Sequence, residues 1–87
     1  MKQRKTVEDY LKAVYLLQKQ SGSVRGADIA AELHVSRPTV SVSLKELEKE
    51  GYLFLDSARE VHLTDKGKTV ARETYERHQT FRSLLED

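Results

Sequence analysis

The sequence predicts a mainly α domain with a small β-hairpin, arranged as a winged helix-turn-helix followed by a long C-terminal helix. Three observations predict it. A short helical stripe, a two-residue break and a longer helical stripe follow one another, which is the spacing of a helix-turn-helix. Two short β-like runs come next, separated by Asp56-Ser57-Ala58-Arg59. A last helical pattern starts at Thr64-Asp65 and continues to the end of the 87 residues. This length suits one small domain that buries a modest fraction of its surface.

Each element has a local reason. Residues 6–20 form the first helix: Thr6 and Asp9 read as a variant capping box, with an aspartate closing it. Val7, Leu11, Val14 and Gln18, flanked by Tyr10 and Leu17, form its stripe. Ser21-Gly22-Ser23 ends it. Val24-Arg25 is too short to assign from pattern and leaves room for a single bridging strand. Residues 27–34 form a short helix with Ile29, Ala30 and Leu33 facing inward, and Val35-Ser36 is a tight connection.

Residues 37–50 pose a choice, because Thr39-Val40-Ser41-Val42-Ser43 alternates like a strand. That template fits five residues only. On a wheel of 100° per residue, Val40, Leu44 and Leu47 fall within about 60° of one another, so the helix template fits the whole length. Ser36 suits the N-cap, Pro38 in the first turn loses no helical hydrogen bond, and Gly51 suits a C′ residue. Strands follow at 52–55 and 60–63. The last helix has apolar positions at Val70, Phe81, Leu84 and Leu85, with Thr74 between them. Residues 1–65 are thus the winged helix-turn-helix. Residues 66–87 are a linker or dimerisation-type helix packed on it, within one structural unit.

Composition excludes several functions. There is no cysteine, so disulfides, thiolate catalysis and cysteine zinc sites are absent. No apolar run approaches the roughly 18 residues of a membrane span, and no signal-peptide core follows Met1. The expectation is a soluble cytoplasmic protein. No nucleophile–base pair, Gly-rich phosphate loop or dense ligand cluster marks an enzyme. Charged residues make up 33% of the chain but balance to +1, so net charge by itself argues little for nucleic acid. Lys2, Arg4 and Lys5 make a basic tip, read either as a solvated end or as a phosphate-touching arm.

The outer face of the 37–50 helix carries the functional signal. It holds Pro38, Val42, Lys45 and Lys49, with Thr39 and Ser41 at its edges. Hydroxyls and amide N–H groups at a helix N-terminus bind phosphate. Small apolar groups such as Pro38 and Val42 touch thymine methyls without holding the helix off the groove floor. The plainer alternative has Thr39, Ser41 and Ser43 capping or sitting in water. Arg59 at the hairpin tip and Arg25 before the second helix can reach phosphate or the minor groove, or simply be solvated.

Three stretches carry a resemblance: TVEDYLKAVYLL at 6–17, ADIAAELHVSRPTVSVSLKELEKEGYL at 27–53, and LTDKGK at 63–68. Together they resemble the N-terminal DNA-binding domain of the diphtheria-toxin-repressor family, metal-dependent repressors that respond to iron or manganese. The resemblance implies base contacts at Ser36 and Pro38, and places Val42 where a base-facing glutamine can occur. It implies phosphate contacts at Arg25, Thr39, Ser41 and Arg59, and metal-ligand positions at Asp9 and His78. With Arg37 and Lys45 on the same helix, the candidate DNA-contacting set is Arg25, Ser36, Arg37, Pro38, Thr39, Ser41, Val42, Lys45 and Arg59. The implied partners are a palindromic double-stranded operator and a second copy of the full-length chain. The implied cofactor is Mn²⁺ or Fe²⁺.

The departures matter as well. Lys12 stands where manganese-type members carry a second glutamate, and a protonated lysine repels a divalent cation. Arg82 stands where an ancillary acid is expected. Asp9 and His78 alone cannot fill a shell of about six donors, so weak or absent metal binding is expected of these 87 residues. Asp9 also serves as a helix N-terminal acid without any metal, and His78 as a packed histidine. His34 and His62 have no ligand company in sequence. The alternatives are a metal-independent winged-helix regulator and a winged-helix protein-interaction module.

Overall fold

The computed structural model describes residues 4–86, with side chains described for residues 4–76. Its elements run α1 (Arg4–Ser21), α2 (Gly26–Leu33), α3 (Arg37–Lys49), β1 (Leu53–Leu55), β2 (Val61–Leu63) and α4 (Asp65–Glu86). The strands pair antiparallel, Leu53 opposite Leu63, Phe54 opposite His62 and Leu55 opposite Val61. Among the described residues nearly all the buried apolar side chains form one cluster. Leu11, Val14, Val24, Ile29, Val40, Leu44, Leu47, Leu53, Val61 and Leu63 meet there, so each helical stripe and the inward face of the hairpin close on the same centre.

The first helix starts earlier than its capping residues suggest. Thr6 lies inside α1, so the Thr6–Asp9 capping box is not formed. An i,i+4 pair supports the extra half-turn, with Arg4 Nε 3.2 Å from Glu8 Oε2. The bridging strand at Val24-Arg25 reduces to one hydrogen bond: the Val61 N–H donates to the Val24 carbonyl at 2.7 Å. Gln18, placed on the inward stripe, is half-buried and donates from Nε2 to the Val61 carbonyl at 3.2 Å. α2 begins one residue early, its first turn held by Asp28 Oδ2, which accepts the Arg25 N–H at 2.9 Å.

Two turns set the angles between helices. α2 ends at His34, which sits in the left-handed region at φ 57°. Histidine is among the non-glycine residues that tolerate this conformation. α3 ends in a Schellman motif: Gly51, at φ 86°, donates to the Glu48 carbonyl and Tyr52 donates to the Leu47 carbonyl, both at 3.0 Å. Thr64 then caps α4, its Oγ1 accepting the Gly67 N–H at 3.2 Å and donating to the Gly51 carbonyl at 2.6 Å. One hydroxyl thus ties the end of α3 to the start of α4.

α4 packs along α1 through small residues. Gly67, Ala71 and Thr74 are buried, whereas Val70 is half-buried. At Gly67 a Cβ would collide with the Tyr52 carbonyl oxygen, so only glycine permits this approach of helix to hairpin. Periodicity of large apolar residues misses this stripe. The apolar positions Phe81, Leu84 and Leu85, together with His78 and Arg82, lie outside the described side chains.

Candidate nucleic-acid interface

α3 is amphipathic in the sense the sequence predicts. Val40, Leu44 and Leu47 are buried, and Arg37, Pro38, Thr39, Ser41, Val42 and Lys45 are exposed. Val42 decides the matter, because 57% of a large apolar side chain stands in solvent in the second turn of a helix with a complete core face. Isolated exposed valines need no explanation. This one lies beside Pro38 on the face that carries hydroxyls and cations.

The start of α3 is built by Ser36. Its Oγ accepts the Thr39 N–H at 3.3 Å and lies 2.8 Å from Thr39 Oγ1. The Val40 N–H donates to the Ser36 carbonyl at 3.1 Å. Thr39 and Val40 amides are therefore already satisfied and Pro38 has none, so phosphate binding through first-turn amides narrows to Arg37. Ser43 is not at the interface: it is 1% exposed, and its Oγ has no hydrogen-bond partner among the described residues.

The hairpin supplies the second part. Asp56 Oδ1 accepts the N–H groups of Ala58 at 2.9 Å and Glu60 at 3.0 Å, while Oδ2 lies 2.8 Å from His62 Nε2. The Arg59 N–H donates to the Asp56 carbonyl at 3.0 Å and the Asp56 N–H donates to the Glu60 carbonyl at 3.1 Å. Asp56 thus closes the loop at both ends, and Arg59 takes the left-handed position at φ 63°. The His62 hydrogen bond, aided by the Glu60 and Ala58 amides, holds the Asp56 carboxyl below its ordinary pKa. Phe54 stacks on His62 with centroids 5.2 Å apart, on the exposed side of the hairpin.

Tertiary structure brings these parts together. Arg25, Arg37, Ser41 and Arg59 line one open groove of about 340 Å³, floored in part by Leu44 and Leu55, with no acid among the described residues of its wall. The three arginines come from the start of α2, the start of α3 and the hairpin tip, positions 12 and 22 residues apart in the chain. Of the other candidates, Ser36, Pro38, Thr39, Val42 and Lys45 lie on or beside the exposed face of α3 and outside the groove wall.

The metal-ligand positions are not assembled within the described residues. Asp9 is exposed near the start of α1, Lys12 stands one turn on, and the side chain of His78 lies outside the described residues. Among the described residues no three His, Cys, Asp or Glu side chains gather as a metal site would require. This part of the chain does not by itself fit a six-coordinate ion.

A helix-turn-helix with a hairpin wing and an arginine-lined groove beside its second helix defines a winged-helix DNA-binding domain. Comparison with known proteins gives the family. The chain matches the iron dependent repressor N-terminal DNA binding domain over residues 3–61 and belongs to that family. It is 38% identical over 82 residues to the transcriptional regulator MntR of Escherichia coli O157:H7, covering 94% of this chain and 53% of that protein. Against the HTH-type transcriptional regulator MntR of Bacillus subtilis strain 168 it is 32% identical over 80 residues, 92% of this chain and 56% of that protein. Among solved structures it is similar to the apo form of the manganese-activated repressor ScaR, at a TM-score of 0.64 and 33% identity over 72% of this chain and 30% of that one. The chain spans about half the length of the curated relatives it matches. These relatives are transcriptional regulators rather than enzymes. Among the described residues no helix is long and apolar enough to cross a membrane.

Proposed function

We propose that this chain is the DNA-reading part of a metal-responsive transcriptional repressor that acts in the cytoplasm on a palindromic operator as a homodimer. The observation that carries the reading is the convergence of Arg25, Arg37, Ser41 and Arg59 on one groove beside the exposed face of α3. In this reading residues 1–65 hold the DNA-contacting surface and residues 66–87 lead toward the dimer contact.

The chemistry divides by residue. Arg25, Arg37 and Arg59 neutralise phosphates and release counterions, which positions the domain without reading sequence. Ser41, Thr39 and Lys45 extend that contact along the helix. Val42 and Pro38 meet base edges, where an apolar surface favours a thymine methyl over a polar edge. Ser36 acts by fixing the first turn of α3, with its hydroxyl shared between Thr39 and any base it meets. Two-fold symmetry would place two such helices about 34 Å apart on one face of the duplex.

The names of the relatives support manganese or iron as the regulating ion, with Asp9 and His78 its candidate ligands in this stretch. A metal-independent regulator is the second reading, favoured by Lys12 one turn from Asp9, which opposes a cation there. Fluorescence anisotropy of a labelled palindromic duplex tests both, titrated at two salt concentrations with Mn²⁺, with reduced Fe²⁺ and with chelator. Salt-sensitive binding that metal leaves unchanged supports a DNA-reading module separate from its switch. Binding only with metal shows that Asp9 and His78 suffice with a partner's help. No binding to any duplex at low salt favours a protein-interaction module instead.

A further inference from the structure

A second concave surface lies between the C-terminal half of α1 and the first turns of α4, away from the arginine groove. Tyr15, Gln18, Lys19, Lys68 and Arg72 line a half-open pocket of about 270 Å³. Three of these five residues are cations and none is an acid.

The cations are held without being neutralised. Lys19 Nζ sits 4.7 Å from the Tyr15 ring centroid and 5.5 Å from that of Tyr75, within cation–π range of both. A carboxylate partner would cancel the charge; a ring face fixes its position and leaves it. Tyr15, the one aromatic residue among the five, is itself held by Tyr75, their centroids 6.0 Å apart at 52°. Lys68 and Arg72 are exposed, and among the described residues neither side chain has an ion-pair partner. Two other cations differ in this: Arg4 pairs with Glu8, and Lys66 donates to the Glu50 carbonyl at 2.9 Å. Gln18 spends its amide on Val61 and forms a fixed side of the pocket.

Small-molecule sites combine apolar or aromatic walls with a few convergent polar groups. The volume here lies just under the roughly 300–1,000 Å³ of drug-sized sites, so the guest is about one ring in size. We propose that this pocket binds a small organic anion built on a single aromatic ring, with the ring against Tyr15 and the anionic group between Lys68 and Arg72. The site is independent of the arginine groove and of any metal. It would give the domain a second input besides the ion suggested by its relatives.

The test is a two-dimensional ¹H–¹⁵N NMR titration of the 87-residue chain with phenyl phosphate and with salicylate. Phenol and inorganic phosphate serve as controls. The expected result is saturable shifts centred on residues 15–19 and 68–72 with both aryl anions. The controls should bind at least tenfold more weakly, and Arg72→Glu should weaken the aryl anions at least tenfold while leaving the melting temperature unchanged. Inorganic phosphate binding as tightly as the aryl anions overturns the proposal, as do shifts centred on Arg25, Arg37 and Arg59. Binding unchanged in Arg72→Glu, or no saturable binding by either aryl anion, also overturns it.

Discussion

Ser43→Ala should make this protein more stable, although it removes a hydroxyl from the middle of the helix read as DNA-contacting. Ser43 is 1% exposed, on the core side of α3 between Val40 and Leu47, and its Oγ has no hydrogen-bond partner among the described residues. Folding therefore strips water from that hydroxyl and returns no protein bond. Leaving a buried polar group unsatisfied costs about 1–3 kcal/mol. Alanine also has the higher helix propensity, by up to about 0.7 kcal/mol. The small void left by the oxygen and the lost dispersion contacts offset part of this, at well under the ~1 kcal/mol of a methylene. The net expectation is a gain of about 1–2 kcal/mol, which for a domain of this size raises Tm by roughly 4–16 °C. Circular dichroism melts and urea unfolding would measure it, with an unchanged m-value showing that only stability moved. Ser41→Ala is the matched control: it is exposed on the same helix and should leave Tm within about 2 °C while weakening operator binding. A Ser43→Ala protein that melts below the parent would refute the reasoning, because the hydroxyl would then be making a bond worth keeping.

Other perturbations probe the hairpin and the helix contacts. Gly67→Ala drives a Cβ into the Tyr52 carbonyl, so it should lose at least about 2 kcal/mol by urea unfolding, against the roughly 1 kcal/mol gained by alanine in an open helix. Arg59→Gly relieves a left-handed arginine, worth about 1 kcal/mol, yet should weaken DNA binding; the slope of log K against log salt should fall by about 1 in anisotropy titrations. Asp56 has a lowered pKa, so the stability it lends the hairpin is present above the ordinary carboxylate range and disappears as pH falls through its still lower folded value. Melts of parent and Asp56→Ala should therefore differ at neutral pH and converge in strong acid. Leu11→Ala, at a position with no exposure, should cost about 2–5 kcal/mol by the same urea assay.

Much of this molecule is legible in its sequence because its signals are local. The i, i+4, i+7 spacing of Val40, Leu44 and Leu47 is a property of 3.6 residues per turn, so it identified α3 and its buried face before any neighbour was known. Ser36, Gly51 and Thr64 mark helix ends through bonds that reach only a few residues along the chain. The motifs that resemble one repressor family also lie in continuous stretches. Other features needed the third dimension. Thr6 looked like a cap because the pattern ignores the turn before it, where Arg4 pairs with Glu8. The small-residue stripe of Gly67, Ala71 and Thr74 carries no hydrophobic period, since its meaning is closeness to α1 and to the Tyr52 carbonyl. Ser43 alternated with its neighbours as if it faced out, and only packing shows that its hydroxyl is buried. Arg25, Arg37 and Arg59 were three separate cations, each as easily solvated as functional. Their convergence depends on the angles set by the left-handed turn at His34 and the Asp56-closed wing. Local spacing determined which residues make helices, while long-range packing decided which charges share a groove, because charge convergence is a property of distance in space and not of distance along the chain.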